Sequence, residues 1–274
     1  MEDISIVGRK AFFIASGDTL VPDSLLERLM SHGYEAYRIA DDGSCPMRKK
    51  VADIMRLFPG SILYCNVDST VAGIDWKSYV KELCTRRGAD ERIGVICRSE
   101  HAAEELRQIE DYYRDGLKVA AGVLFLPPDG DEAYERVLES LARAGARGRR
   151  KIVRVNAAPS DGVTFPHGVV RLKDVSRAYF CCLFDGDAPD YKIYEHFRSL
   201  KLCFHGMSLS CDAVLVMQNC KAGVYRLVFM FVKDDGSPEL EADKKVLLNR
   251  QIYQILTEER RALMFREFRA GTSA

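Results

Sequence analysis

Apolar and polar residues alternate in two different rhythms along this chain of 274 residues. Through residue 145, short apolar runs take turns with segments whose apolar positions recur every three to four residues. The runs KAFFIAS (10–16), YEAYRIA (34–40), SILYCNV (61–67), RIGVICRS (92–99) and VAAGVLFLPP (119–128) have strand character. Segments 21–33, 47–58, 75–88, 101–116 and 131–145 have helical spacing; in the first, Leu25, Leu26, Leu29 and Met30 share a face and Gly33 marks the stop. Five β–α units in order predict a doubly wound parallel sheet with helices on both faces. The cadence suits a flavodoxin-like strand order better than a dinucleotide-binding one.

After LARAGARGRRK (141–151), a helix end passing into a short basic connector, the rhythm changes. The expected domains are therefore 1–145 and 146–274. KIVRVNA, GVVRLKDVS and AYFCCLF read as strands, and 199–232 as three more with tight turns at HG (205–206) and within QNCKAG (218–223). Tyr225, Leu227, Phe229 and Phe231 line one face of the last, the reading of a barrel core. About six short antiparallel strands predict a closed or partly closed barrel. A long helix over 242–269 ends the chain, with Val246, Leu247, Ile252, Ile255, Leu256, Leu263 and Phe268 as its expected apolar stripe.

Charge narrows the classes of partner. Forty basic residues balance forty acidic ones, whereas a binder of nucleic-acid polymer carries a basic excess. MEDISIVGRK opens with acids where a secretory signal is basic, and the longest apolar run is too short to span a bilayer. The nine cysteines are odd in number, lack a CxxC and sit mostly in apolar runs. These features predict reduced thiols in a cytoplasmic protein with no metal site and no membrane span. Neither half offers a nucleophile–base pair or a glycine-rich phosphate loop, so no enzyme is expected.

In cadence, 9–146 resembles the receiver domain of response regulators. That resemblance implies an acidic pair after strand one, a phospho-accepting Asp ending strand three, a Ser/Thr after strand four and a Lys after strand five. Here Ser16 and Gly17 stand at the acidic pair with Asp18 one place late, and Asn66 stands at the nucleophile. Ser99 is displaced, and Leu126 replaces the Lys before Pro127. An amide is a poor nucleophile and lost acids weaken cation binding. Asp18 and Asp68 read as solvent-facing loop acids, and the half as a pseudo-receiver that docks or dimerises.

In the second half, RRKIVRVN (149–156) sets Arg150 and Arg154 four apart, and DVSRAY (174–179) follows some twenty residues later. Alone, the first also reads as a basic linker and Asp174 with Ser176 as a strand-end turn. Their order, spacing and all-β setting together resemble the PilZ domain over roughly 149–265. That family binds the bacterial second messenger cyclic di-GMP through RxxxR and [D/N]xSxxG. The resemblance implies that Arg150 and Arg154 grip guanine edges and phosphates, with Arg149 as a supporting cation. It places Asp174 on the guanine N1 and N2 donors, with Ser176 adding a hydroxyl contact. A guanidinium suits the task, since its planar fork matches phosphate and the O6/N7 edge and stacks on purines. The motif glycine falls on Tyr179. If that position needs φ > 0, tyrosine costs about 1–3 kcal/mol; if it does not, the ring is free to stack on a base.

The resulting expectation is a bacterial, non-catalytic effector. Cyclic di-GMP is its regulatory ligand, bound at the domain junction and changing domain arrangement and partner docking. The resemblance implies a protein partner in motility or envelope machinery. The alternative is a degenerate PilZ protein that binds no nucleotide and serves as a protein–protein adaptor, its final helix carrying the interaction.

Overall fold

The computed structural model describes residues 4–86, 92–149, 152–185 and 190–270. The chain divides into two compact units, Met1–Lys151 with Glu259–Ala274, and Ile152–Glu258.

In the first unit a short turn, α1 (Ile4–Val7), precedes β1 (Ala11–Ile14), α2 (Asp23–Ser31), β2 (Ala36–Ile39), α3 (Met47–Leu57) and β3 (Ile62–Asn66). Then follow α4 (Trp76–Arg86), β4 (Arg92–Arg98), α5 (Ala103–Glu110), β5 (Gly122–Leu126) and α6 (Gly130–Arg143), with a π-helical turn extending α5 to Gly116. All five strands are parallel in the order β2-β1-β3-β4-β5. This is the flavodoxin-like order, whose switch point lies between β1 and β3. AFFI of β1 and ILYCN of β3 are buried at every position, because a parallel sheet covered on both faces leaves no polar side to alternate with. Leu25, Leu26, Leu29 and Met30 are the buried face of α2, as their spacing predicts.

Helix ends follow local chemistry. The Asp129 carboxylate accepts from the backbone of Asp131 and Glu132 to cap α6. At its other end Gly145 N–H bonds Ala142 O at 3.1 Å and Ala146 N–H bonds Leu141 O at 2.9 Å, a Schellman closure that uses φ +70° at Gly145. The basic connector then pairs with the N-terminal turn: Arg149 N–H donates to Ser5 O at 3.0 Å, and Arg147 bridges Gly8. The backbones come so close that a Cβ on Gly148 would sit 2.2 Å from Gly8 N.

The second unit holds β6 (Arg154–Asn156), β7 (Gly162–Phe165), β8 (Gly168–Ser176), β9 (Tyr179–Asp185), β10 (His196–Phe204), β11 (Met207–Lys221) and β12 (Val224–Val232). The antiparallel order is β6-β8-β7-β10-β11-β12-β9, and a further pairing of β8 with β9 closes six strands into a barrel. β7 pairs the first half of β8, and β6 pairs the end of the same edge. Phe165, Phe180, Phe229 and Phe231 fill the interior, with the Phe180 and Phe229 rings stacked at 5.0 Å. The two hairpin turns fall at His205–Gly206 and Ala222–Gly223, all four residues at positive φ, the backbone that matches strand twist. β7 is an addition to the strands read from the sequence, and β11 runs on through Gln218 and Asn219 to turn only at the end of the expected window.

α7 (Ala242–Ala270) closes the chain. Its buried residues are Leu248, Ile252, Tyr253, Ile255, Leu256 and Met264. The expected stripe holds at Ile252, Ile255 and Leu256 and is corrected at its start, where Val246 and Leu247 are 57% and 52% exposed; Leu263 is half-buried, and the Phe268 side chain lies outside what is described. In the barrel unit, Gln251 Nε2 donates to His205 O at 3.1 Å. In the α/β unit, Arg260 lies 3.8 Å from the buried carboxylate of Glu35, which also binds Lys10 at 2.7 Å and the Tyr37 hydroxyl at 2.9 Å. Arg260 of α7 thus stands beside the entry to the edge strand β2. All nine cysteines are free, and Cys220 is the exposed one. Among the described residues no helix is long and apolar enough to cross a membrane.

Candidate functional site

Two β-bulges shape the outer face of the barrel. On β8 the register passes from Leu172↔Cys182 to Asp174↔Cys181, leaving Lys173 as the extra residue. On β11 it passes from Leu215↔Phe229 to Met217↔Val228, leaving Val216 extra. Strict alternation from the buried Leu172 and Leu215 would turn Asp174 and Met217 into the core. Each bulge instead delivers its residue to the outside, the re-aiming for which bulges recur beside functional sites. Both land on one row: Asp174 pairs with Cys181, Cys181 with Val228, and Val228 with Met217. The row crosses four strands, about 14 Å at the usual strand spacing.

A cavity of about 220 Å³ opens on this row, lined by Arg154, Asp174, Tyr179, Cys181 and Val228, with Val216, Met217 and Arg226 at its far side. Arg154 Nη1 stands 3.7 Å from Asp174 Oδ1, and Lys173 Nζ stands 4.0 Å from the other carboxylate oxygen. Asp174 is largely covered, its side chain 14% exposed, while that of Arg154 is 44% exposed. The Cys181 thiol on the floor is pushed up to about 11, first by burial and then by Asp174, against the opposing pull of Lys173, Arg226 and Arg154. It therefore stays a neutral, apolar floor atom at physiological pH. Cations outnumber carboxylates around an apolar floor, an arrangement suited to a flat ligand with anionic or acceptor edges.

The residues singled out from the sequence separate into three groups. Arg154, Asp174 and Tyr179 come together in the cavity wall. Tyr179 is not among the residues at positive φ; it begins β9 in ladder with Met230, so its ring occupies the wall without backbone strain. Ser176 is 1% exposed. Its hydroxyl donates to Tyr179 O at 3.0 Å and accepts from Tyr179 N at 3.0 Å, holding the β8–β9 turn that presents Tyr179. Arg149 is exposed in the α/β unit, on the connector paired with Ser5. Arg150 lies outside the described residues. Cys181, Val216, Met217, Arg226 and Val228 were not foreseen; outward alternation on β12 points to Arg226, but nothing local ties it to Asp174.

The receiver-like polar positions Asp18, Asn66 and Asp68 are engaged by partners within the α/β unit. Asn66 Nδ2 donates to Ala15 O at 3.0 Å, and its carbonyl oxygen accepts from Asp68 N at 3.1 Å. Asp18 forms an ion pair with Arg38. Asp68 differs from the solvent-facing acid expected: its side chain is 17% exposed, accepting from Arg98 N at 2.7 Å and meeting His101 Nε2 at 2.8 Å. That hydrogen bond raises the His101 pKa above its ordinary value, with burial opposing. Leu126 is buried in the core. Among the described residues no group of three His, Cys, Asp or Glu side chains is placed to hold a metal ion.

No protein-family model matches the chain, and no curated protein matches it. Among solved structures it is similar to YcgR in complex with c-di-GMP from Escherichia coli, at 18% identity and a TM-score of 0.36, over 43% of this chain and 51% of that one. It is similar to a K. pneumonia MrkH–c-di-GMP complex at 13% identity and 0.34, over 43% and 56%. A third is the Bacillus subtilis inhibitor of motility MotI/DgrA, at 13% and 0.33, over 41% and 53%. The chain spans about half the length of these three structures, and likenesses this slight assign no residue a role.

Proposed function

We propose that the barrel unit binds cyclic di-GMP and that the chain is a non-catalytic effector whose partner docking follows that binding. The observation that carries this reading is the convergence of Arg154 and Asp174, motif positions on separate strands whose charged atoms stand 3.7 Å apart in the wall of one cavity. At that separation the pair is looser than a hydrogen bond. With Arg154 44% exposed and the two charges 3.7 Å apart, the pair contributes little, so exchanging it for ligand contacts costs little. Guanine supplies what both groups lack: N1 and N2 donors for the carboxylate, and O6 and N7 acceptors for the guanidinium fork.

Tyr179 supports the reading in a further way. Its strand backbone is ordinary, so the missing motif glycine carries no strain penalty here, and its ring is placed to stack on a base. The cavity of about 220 Å³ is smaller than the ~300–1,000 Å³ that encloses a drug-sized ligand. This face therefore takes one portion of the nucleotide, and the rest is left to the other motif arginine, Arg150, with Arg149 as a supporting cation. Binding is expected to change the arrangement of the two units and so what the protein docks onto, which scattering with and without ligand would register.

Calorimetric titration with cyclic di-GMP tests the reading, with cyclic di-AMP and Arg154→Ala as controls. Binding at micromolar or tighter affinity that prefers guanine and collapses in the variant is the expected result. A folded wild-type protein that takes up no cyclic di-GMP would leave the barrel as a ligand-free adaptor.

A further inference from the structure

The outer face of the barrel carries a second arginine that belongs to neither motif. We propose that Arg226 contacts the nucleotide directly and sets its preference for guanine, an inference that rests on reading this face as the cyclic di-GMP site. Arg226 lines the same cavity as Arg154 and Asp174, from β12. It stands two residues along that strand from Val228, on the outward side, and so borders the floor row Asp174–Cys181–Val228–Met217. Two residues of strand are about 6.8 Å, within the span of an arginine side chain. In the strand order Arg154 on β6 and Arg226 on β12 lie on either side of β9, which carries Cys181 in the middle of the floor, and the charge of each favours the ionised form of that thiol.

A structural role for Arg226 finds no support nearby. Its ladder neighbours are Leu183 and Asn219, neither of them an acid. Among the described residues no hydrogen bond or ion pair engages its guanidinium. Its guanidinium, with five N–H donors, therefore lines the cavity with no acceptor among the described residues to release. Beside them Met217, 43% exposed, is brought outward by the β11 bulge, and its polarisable thioether suits the flat face of a purine. The chemistry favours one base. The fork bonds guanine at O6 and N7 together, whereas adenine offers N7 but sets an amino donor against the second N–H.

The test is a calorimetric titration of the full chain, wild type beside Arg226→Ala and Arg226→Lys, with cyclic di-GMP and cyclic di-AMP and a thermal melt of each protein. Arg226→Ala is expected to melt like the wild type and to weaken cyclic di-GMP about ten- to hundredfold. Arg226→Lys keeps the charge and loses the fork, so it is expected to recover part of the affinity while the preference for cyclic di-GMP over cyclic di-AMP falls at least about fivefold. Unchanged affinity in Arg226→Ala, with the wild type binding, overturns this inference alone. Full recovery of affinity and preference by lysine overturns the selectivity role. A wild type that binds neither nucleotide overturns this inference together with the function it rests on.

Discussion

The carboxyl edge of the parallel sheet and the outer face of the barrel treat their charged side chains in opposite ways. At the carboxyl edge of the parallel sheet, the groups nearest to chemistry are committed to one another: Asp18 to Arg38, Asp68 to Arg98 N and His101, Asn66 to Ala15 O, and Lys50 to Ala40 O and Asp42. On the outer face of the barrel, Arg154 and Asp174 stand too far apart to hydrogen-bond. A side chain whose hydrogen bonds are already made must break them to take a ligand, and a buried one leaves its partner stranded. An exposed guanidinium gives up only water. The capacity of a face to bind is therefore read from its unspent hydrogen bonds, not from how many charges it displays.

The largest effect that would break this contrast lies on the barrel. Arg154→Ala should weaken cyclic di-GMP by about 30-fold or more, the loss expected of one charge-assisted contact, whereas Asp68→Ala should leave the affinity unchanged. Equal losses in parallel titrations of the two variants would remove the distinction between the units.

Next in size is Ser176→Ala. The hydroxyl makes two 3.0 Å bonds with the Tyr179 backbone, and its removal leaves a buried donor and acceptor unmatched. A loss of about 1–2 kcal/mol in denaturant unfolding is expected. A loss of nucleotide affinity with stability unchanged would instead put the hydroxyl on the ligand.

A smaller effect belongs to the committed edge of the sheet. Folding raises the His101 pKa above the ordinary 6.5, chiefly through the bond to Asp68. The contribution is present in full below the unfolded value and fades as pH rises through the folded one. Stability of the α/β unit should therefore decline across that window above 6.5, and Asp68→Asn should flatten the profile; melting against pH reads both. A decline of the same size in Asp68→Asn would show that the pair is not its source.

The parts of the molecule that could be read from the chain are those governed by local period. AFFI and ILYCN lack alternation because both faces of the sheet are covered, and that alone distinguishes them from the alternating strands of the barrel. α7 was harder, because Leu247 and Leu248 are adjacent and either can begin the stripe; packing chose Leu248. In the site, Arg154 and Asp174 were legible because they lie in short motifs. Met217 and Arg226 were hidden because the row joining them to Asp174 crosses four strands. The bulges at Lys173 and Val216 also shift the alternation by which an outward residue is recognised. Asp68 looked like a loop acid because its partners, Arg98 N and His101, come from the next strand and the loop beyond it.

The smallest effect is the most discriminating for Tyr179. With no positive φ to relieve, Tyr179→Gly should leave affinity within about threefold or lower it by the loss of a stacking ring, and should cost about 0.5–1 kcal/mol of stability. A large gain in affinity by titration would show that tyrosine obstructs the site.

The central claim, that nucleotide binds the outer face of the barrel and not the edge of the sheet, is tested most directly by titrating cyclic di-GMP into methyl-labelled methionine protein and following each resonance by NMR. Met217 lies in the wall of the barrel cavity, and Met47 is buried at the start of α3 in the α/β unit. The account predicts that the Met217 methyl shifts in proportion to occupancy while Met47 stays in place. A shift at Met47 with Met217 unmoved would contradict it.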